Sequence, residues 1–290
     1  MAEKDFADGV GAVDEQDLER SCRDQDDPAA AADGVSRGLA IGRFVRELMV
    51  ECVASFLLVF WSAVAALMQE MHGTLTFPMV CLVVALTVGF VLCWLGPAHF
   101  NPAVTLTFTV FGYLPWPKLP LYVVAQLAGS LLACVAANGV MKPREEHFYG
   151  TAPMMAGGHT RLPFLLELVA SAVLMIVIAI AARGSNQTAG GLAIGAAVGT
   201  LGLVIGPVSG GSMNPIRTLG PAIVLGRYTS VWIYLVAPVA GMLIGALCNR
   251  VVRGSDAILA FLCGTKPTRA VAPRATPRAV GSSLASSPHY

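Results

Sequence analysis

Residues 210–222 read GGSMNPIRTLGPA. The pair Asn214 and Pro215 at the centre of this stretch predicts the start of a helix, because the amide oxygen caps free backbone N–H groups and proline fits the first helical turn. Apolar segments lie on both sides, so this helix and the nearby Arg217 are expected at membrane depth. An arginine at that depth is costly unless it faces a water-filled path, and it therefore indicates a functional site.

A second Asn-Pro pair lies in the first half of the chain, where residues 99–104 read HFNPAV. Each pair follows an apolar segment that begins with a glutamate, ECVAS at Glu51 and ELVAS at Glu167. Asn101 lies 50 residues after the first glutamate, and Asn214 lies 47 residues after the second. The chain is therefore predicted to contain two repeats of three spans each. Since three is odd, the second repeat is inverted in the membrane, with the site near the midplane.

The composition is that of an all-α membrane protein. Of the 290 residues, 55% are apolar and 13% are charged, whereas about a quarter are charged in soluble domains. Six spans of about 20 residues, the length that crosses a bilayer, are predicted at 48–68, 78–95, 119–140, 162–182, 189–208 and 231–252. Two further segments, 102–112 and Pro215–Leu225, are too short to span and are predicted to be re-entrant half-helices.

Polar segments flank this apolar body. Residues 1–42 are acidic and lack apolar periodicity, which predicts a disordered tail, and residues 254–290 are rich in Pro, Ser, Ala and Arg, which predicts a flexible tail. The membrane domain is then 43–253, with repeat one at 43–141 and repeat two at 162–253. An even number of spans places both tails on one side, and the flanking arginines favour the cytoplasm: Arg37, Arg43, Arg46, Arg250 and Arg253.

Several functional classes receive no support. The net charge of +1 gives no reason to expect nucleic acid, and the seven cysteines form no C-x-x-C pair. The sequence also lacks a Ser/His/Asp set, a zinc-type histidine pair and a glycine-rich phosphate loop. We therefore expect no enzyme activity, no metal site and no cofactor.

The two motifs HFNPAVT and SMNPIRTLGPA, each after a glutamate-led span, resemble those of the aquaporin (major intrinsic protein) family over roughly residues 44–253. The second half, with GPVSGGSMNPIRTLGPAIV, is most similar to the plant nodulin-type intrinsic proteins. The resemblance implies six spans plus two half-helices, and a homotetramer with one pore per subunit. It further implies passive flux of water and of glycerol or boric, silicic or arsenous acid across a lipid bilayer, with the plasma membrane as the expected location.

The resemblance assigns the pore motifs to Asn101, Pro102, Ala103, Asn214, Pro215 and Ile216. Each asparagine amide would donate to passing hydroxyl groups where the half-helices meet. The positive ends of both helix dipoles face that point, which opposes cations and protons. Ile216 stands where the family usually has alanine, and its branched side chain is expected to crowd the junction.

Three residues are expected to support the pore loops. His99 would anchor the first re-entrant loop. Glu51 and Glu167 occupy matching repeat positions, so we expect them to accept backbone N–H groups of the two loops and not to relay protons.

The resemblance also implies a four-residue selectivity filter. Arg217 matches the family's filter arginine, and counting back from Asn214 places Gly211 and Gly202 beside it. The fourth position aligns with Val84 when a three-residue gap is placed in the short loop before the first motif. No aromatic or histidine side chain narrows this ring, which predicts a wide filter for solutes larger than water.

Two alternatives remain open at this point. A strictly water-selective pore would share the motifs but is disfavoured by the two filter glycines. A secondary transporter would also use inverted repeats. It needs ligands for a coupling ion, whereas the intramembrane carboxylates are Glu51 and Glu167, both at structural positions.

Overall fold

A computed structural model describes residues 28–154 and 160–262, and within these ranges it describes side chains from residue 38 to residue 254. Across those residues the regular structure is helical. A 3₁₀ turn at Trp116–Lys118 precedes α4, and the α-helices are α1 Pro28–His72, α2 Phe77–Trp94, α3 Pro102–Val110, α4 Leu119–Met141, α5 Arg161–Ala181, α6 Gln187–Ser209, α7 Pro215–Leu225 and α8 Val231–Leu262.

Six of these helices are long and apolar enough to cross a membrane, and they coincide with the six predicted spans. Between 28% and 44% of each apolar window is buried within the chain. The remaining apolar surface faces outward, as expected for helices in contact with lipid. The chain is therefore an integral, multi-pass, all-α membrane protein, which confirms the predicted fold class.

The ends of the chain differ from the predicted boundaries. Helix α1 begins at Pro28, so the last third of the segment predicted as a disordered tail is helical. Proline at the first helical position followed by four alanines explains this start, because alanine has the highest helix propensity. At the other end, α8 continues past residue 253 to Leu262. Residues 1–27 and 263–290, where the rest of both predicted tails lies, fall outside the described residues.

Helices of one repeat cross closely at glycines, and the crossings recur in the other repeat. A Cβ atom placed on Gly129 of α4 would lie 2.1 Å from the carbonyl oxygen of Cys52 on α1. A Cβ on Gly241 of α8 would lie 2.2 Å from the carbonyl oxygen of Leu168 on α5. Small residues permit this backbone contact in membranes, so α1–α4 and α5–α8 are equivalent pairs.

The two half-helices have 9 and 11 residues. At a rise of 1.5 Å per residue, each is roughly 14–17 Å long, about half of the hydrocarbon thickness. Each begins with an Asn-Pro pair, and the two asparagines have nearly the same backbone angles, φ −156° and ψ 114° at Asn101 and φ −152° and ψ 116° at Asn214. The repeat therefore extends to the geometry of its helix starts.

Candidate functional site

The asparagine side chains cap the half-helices. The Oδ1 atom of Asn101 accepts a hydrogen bond from the backbone N–H of Ala103 at 3.0 Å. The Oδ1 atom of Asn214 accepts one from Ile216 at 3.1 Å. The prolines that follow fill the first helical position, where no N–H is required. Both predicted motifs thus form helix starts inside the protein, where the asparagines are 5% and 4% exposed.

The amide nitrogens join the two loops to each other. Asn101 Nδ2 donates to the carbonyl oxygen of Met213 at 2.9 Å, and Asn214 Nδ2 donates to that of Phe100 at 2.8 Å. Phe100 and Met213 adopt left-handed φ angles of 34° and 51°, which non-glycine residues rarely adopt. An amide NH₂ has two hydrogens, so each asparagine has one hydrogen beyond the one in its cross-loop bond. The sequence did not predict these cross-loop bonds.

Glu51 on α1 binds the loop before α3. Its Oε1 atom accepts the backbone N–H of His99 at 2.6 Å, and its Oε2 atom accepts that of Phe100 at 2.7 Å. Gln126 on α4 donates to the same Oε2 atom at 2.7 Å. Since both carboxylate oxygens are engaged, Glu51 holds the loop in place.

Glu167 on α5 makes the corresponding contacts in the second repeat. Its Oε2 atom accepts the backbone N–H of Met213 at 2.6 Å, while its Oε1 atom accepts the N–H of Ser212 at 2.8 Å and the hydroxyl of Ser209 at 2.7 Å. The side chain is fully buried. Both glutamates therefore make the loop contacts that their repeat positions suggested.

His99 lies inside the first loop. Its Nδ1 atom is 3.2 Å from the Thr105 hydroxyl, and its ring stacks on Phe108 with the centroids 4.8 Å apart. Together with the backbone bond to Glu51, these contacts fix the loop relative to α3.

Two cavities share part of their lining. The first, which we call the asparagine cavity, has a volume of about 230 Å³ and is lined by His99, Asn101, Asn214 and mostly apolar side chains. The second, the filter cavity, has a volume of about 470 Å³ and is lined by Gly202 and Gly211 among others. Arg217 lines both. The two cavities therefore adjoin at this arginine, and the asparagines lie on the wall of the first.

The structure brings all four predicted filter residues together. Val84, Gly202, Gly211 and Arg217 line the filter cavity. One guanidinium nitrogen of Arg217 donates to the carbonyl oxygen of Gly211 and, at 3.3 Å, to that of Ser212. A Cβ on Gly211 would lie 3.3 Å from the backbone oxygen of Gly202. Arg217 is therefore held against a wall made of closely packed backbone.

Cys81 also lines this cavity, and the sequence reasoning missed it. A Cβ on Gly202 would lie 3.9 Å from the Cys81 sulfur, its nearest neighbour. Val84, one helical turn further along α2, is 5% exposed and packs with Ala54 and other apolar residues. Without the three-residue gap, the alignment would place the fourth filter position at Cys81. Cys81 is thus the residue of α2 that lies nearest to Gly202, while Val84 also lines the cavity.

Ile216 lies outside both cavities. It is 1% exposed and lines neither the asparagine cavity nor the filter cavity. Its carbonyl oxygen accepts the Ser130 hydroxyl of α4 at 2.8 Å. The expected crowding of the junction is therefore absent from these two cavities, because the isoleucine is buried outside both of them. Ala103, the equivalent residue of the first motif, is fully buried in an apolar cluster.

Comparisons with known proteins agree with this geometry. A family described as major intrinsic protein matches residues 39–249. Aquaporin NIP4-1 of Oryza sativa subsp. japonica is 69% identical over 265 residues, which cover 88% of this chain and 92% of the relative. A probable aquaporin NIP-type of Nicotiana alata is 35% identical, over 77% of this chain and 83% of that relative. The X-ray structure of the aquaglyceroporin from Plasmodium falciparum superposes with a TM-score of 0.66 at 23% identity, covering 74% of this chain and 99% of that chain, and indicates a shared fold.

Proposed function

Because the chain belongs to the major intrinsic protein family of membrane channels, we propose that its path conducts water together with small uncharged solutes that carry several hydroxyl groups. The chain is a channel for small neutral solutes and water, and its relatives carry the NIP name that the sequence resemblance implied. Within that class, glycerol and boric, silicic or arsenous acid are the proposed solutes. The position of two glycines beside Arg217 in the filter cavity carries this proposal.

The chemistry of the ring supports a solute with both donors and acceptors. Arg217 uses one guanidinium nitrogen on backbone carbonyls, and its other N–H groups are donors for a solute oxygen. Gly202 and Gly211 place no side chain in the cavity. A ring without bulk at these two positions accepts molecules larger than water, whereas two large side chains would restrict it to water.

Ion exclusion is proposed to arise from fixed positive charge. The half-helices begin at Asn101 and Asn214, and each helix N-terminus carries about half a positive charge. Arg217 adds a full charge one turn further on. The carboxylates of Glu51 and Glu167 are already occupied by backbone and side-chain donors. A cation in the path therefore meets repulsion from the positive groups, while the two loop carboxylates are engaged elsewhere.

Assembly and orientation are part of the same proposal. From the family resemblance we expect a homotetramer with one pore per subunit in the plasma membrane, with a channel domain at 43–253. The arginines around the outermost spans favour a cytoplasmic location for both termini. Light scattering of the detergent-solubilised protein would measure the subunit number. Protease protection of terminal tags would measure the orientation, and a protected terminus in sealed inside-out vesicles would contradict it.

Stopped-flow light scattering on proteoliposomes tests the function. We expect water, glycerol and boric acid each to enter faster than into protein-free liposomes, with rates linear in the gradient. Fast water entry with solute rates equal to those of empty liposomes would favour the water-selective alternative. Saturable uptake that depends on an ion gradient would favour a transporter.

A further inference from the structure

Each half-helix carries a buried threonine four residues after its asparagine. In the first repeat this residue is Thr105, whose hydroxyl donates to the carbonyl oxygen of Asn101 at 3.1 Å. Gln126 of α4 donates one amide hydrogen to the Thr105 hydroxyl at 2.8 Å and the other to Glu51 at 2.7 Å. A transmembrane helix thus anchors the first half-helix through this threonine.

The second repeat lacks that helical anchor. Helices α4 and α8 are equivalent, with AQLAG at residues 125–129 and APVAG at residues 237–241, so Pro238 stands where the first repeat has Gln126. Proline has no polar side chain and no N–H. Thr218, the equivalent of Thr105, is nevertheless 1% exposed and needs partners for its hydroxyl.

Thr151, in the segment between α4 and α5, supplies the missing contact. Its hydroxyl lies 2.5 Å from the Thr218 hydroxyl. Thr218 in turn lies 2.8 Å from the hydroxyl of Ser212, which donates to the carbonyl oxygen of Asn214 at 2.8 Å. The chain of hydroxyls ends on the asparagine that starts the half-helix.

The direction of the hydrogens in this chain follows from its last member. A carbonyl oxygen can only accept, so the single hydroxyl hydrogen of Ser212 goes to Asn214. Thr218 must then donate to Ser212, and Thr151 must donate to Thr218. A serine at position 151 could take the same role, whereas a valine, which has the shape of threonine without its hydroxyl, could not.

The segment that carries Thr151 is itself fixed to three helices. The backbone N–H of Phe148 donates to Glu70 of α1 at 3.1 Å, and the Tyr149 hydroxyl donates to Asn138 of α4 at 2.8 Å. The backbone N–H of Met154 donates to the carbonyl oxygen of Val208 on α6 at 3.0 Å. We call residues 148–154 the anchor segment. It lines the filter cavity and can transmit the position of these helices to α7.

We propose that Thr151 is a positioning residue of the filter, which takes for the second half-helix the place that Gln126 takes for the first. It acts through Thr218 and Ser212, and the carbonyl oxygens of Gly211 and Ser212 hold Arg217. Loss of the Thr151 hydroxyl therefore loosens the wall on which the arginine rests. The link to solute selection depends on the proposed function, whereas the structural link to α7 does not.

Hydrogen–deuterium exchange on the full-length channel in lipid tests the structural link. In Thr151→Val, the amides of residues 210–217 should exchange about fivefold faster, since one buried hydrogen bond is lost, and those of residues 99–105 should keep their wild-type rate. Thr151→Ser should restore protection to within about twofold of wild type. Thr107→Val is the matched control, because the buried Thr107 hydroxyl bonds within its own half-helix, to the carbonyl oxygen of Ala103 at 2.8 Å.

Proteoliposome flux of the same variants tests the positioning role. The ratio of glycerol to water permeability should change at least about threefold in Thr151→Val and stay at the wild-type value in Thr151→Ser and Thr107→Val. If Thr151→Val does not fold, Thr151→Ala is used in its place, because it removes the same hydroxyl. Unchanged exchange at 210–217 in the folded variant would overturn the proposal, as would equal changes in Thr151→Ser. A wild type that conducts no solute would contradict the proposed function, while the exchange experiment would still decide the role of Thr151.

Discussion

Replacing Gly202 by Trp should close the filter to glycerol while leaving a path for water. The backbone at Gly202 tolerates a side chain, because a Cβ there would lie 3.9 Å from its nearest neighbour, the Cys81 sulfur. At Gly129, by contrast, a Cβ would lie 2.1 Å from a carbonyl oxygen. The Cβ atom of the new side chain is therefore accommodated without a close contact. Since Cys81 occupies one side, the ring must extend into the filter cavity.

The size of the effect depends on how much of the filter cavity the new ring fills. The filter cavity measures about 470 Å³, and a water molecule needs only about 30 Å³ of liquid volume. We expect a single file of water to pass the ring, whereas a three-carbon solute must pass it beside Arg217. We expect glycerol permeability to fall at least about tenfold, equivalent to roughly 1.4 kcal/mol in the barrier, and water permeability to fall by less than about twofold.

Stopped-flow light scattering on proteoliposomes measures both rates in one preparation. Gly139→Trp is the matched control, because Gly139 is an exposed residue of α4 that lines neither cavity, and a Cβ added there would have no neighbour within 4 Å. That variant should leave both permeabilities at the wild-type value. Equal losses of water and glycerol flux in folded Gly202→Trp would refute the assignment of Gly202 to the filter.

Three further predictions concern single residues. Glu167→Gln should lower the midpoint of thermal unfolding by roughly 5–10 °C in a fluorescence assay, because the new amide NH₂ faces backbone N–H donors. Glu70→Gln is the control, since Glu70 is an exposed carboxylate with one backbone partner. Equal midpoints for the Glu167→Gln and Glu70→Gln variants would contradict the reasoning. A bulky mercurial should slow glycerol flux through the wild type by reacting with Cys81 in the filter cavity, and Cys81→Ser should abolish this slowing. Persistent slowing in the variant would place the reactive thiol elsewhere. Arg217→Val should raise potassium leakage into proteoliposomes at least about tenfold through loss of a fixed charge, and an unchanged leak would assign ion exclusion to the half-helix dipoles alone.

Much of the fold could be predicted because it depends on local properties of the chain. Span length and hydropathy set the six transmembrane helices, and the Asn-Pro pairs set the starts of α3 and α7 through capping chemistry that acts within two residues. The spacing of glutamates and asparagines indicated the repeat. The start of α1 at Pro28 was missed because an acidic, polar composition outweighed a short alanine run.

Tertiary structure decided which residues of distant segments meet, and local pattern does not encode those distances. Counting along the chain could not choose between Val84 and Cys81, since one helical turn of α2 separates them and only the packing of α2 against α6 places the cysteine near Gly202. The cross-loop bonds between the asparagines and the carbonyls of Phe100 and Met213 join residues more than a hundred positions apart. The contact of Thr151 with Thr218 likewise arises from the folding of the anchor segment onto α7. The sequence by itself therefore determined the pore elements, and the tertiary structure determined which residues line and hold the filter.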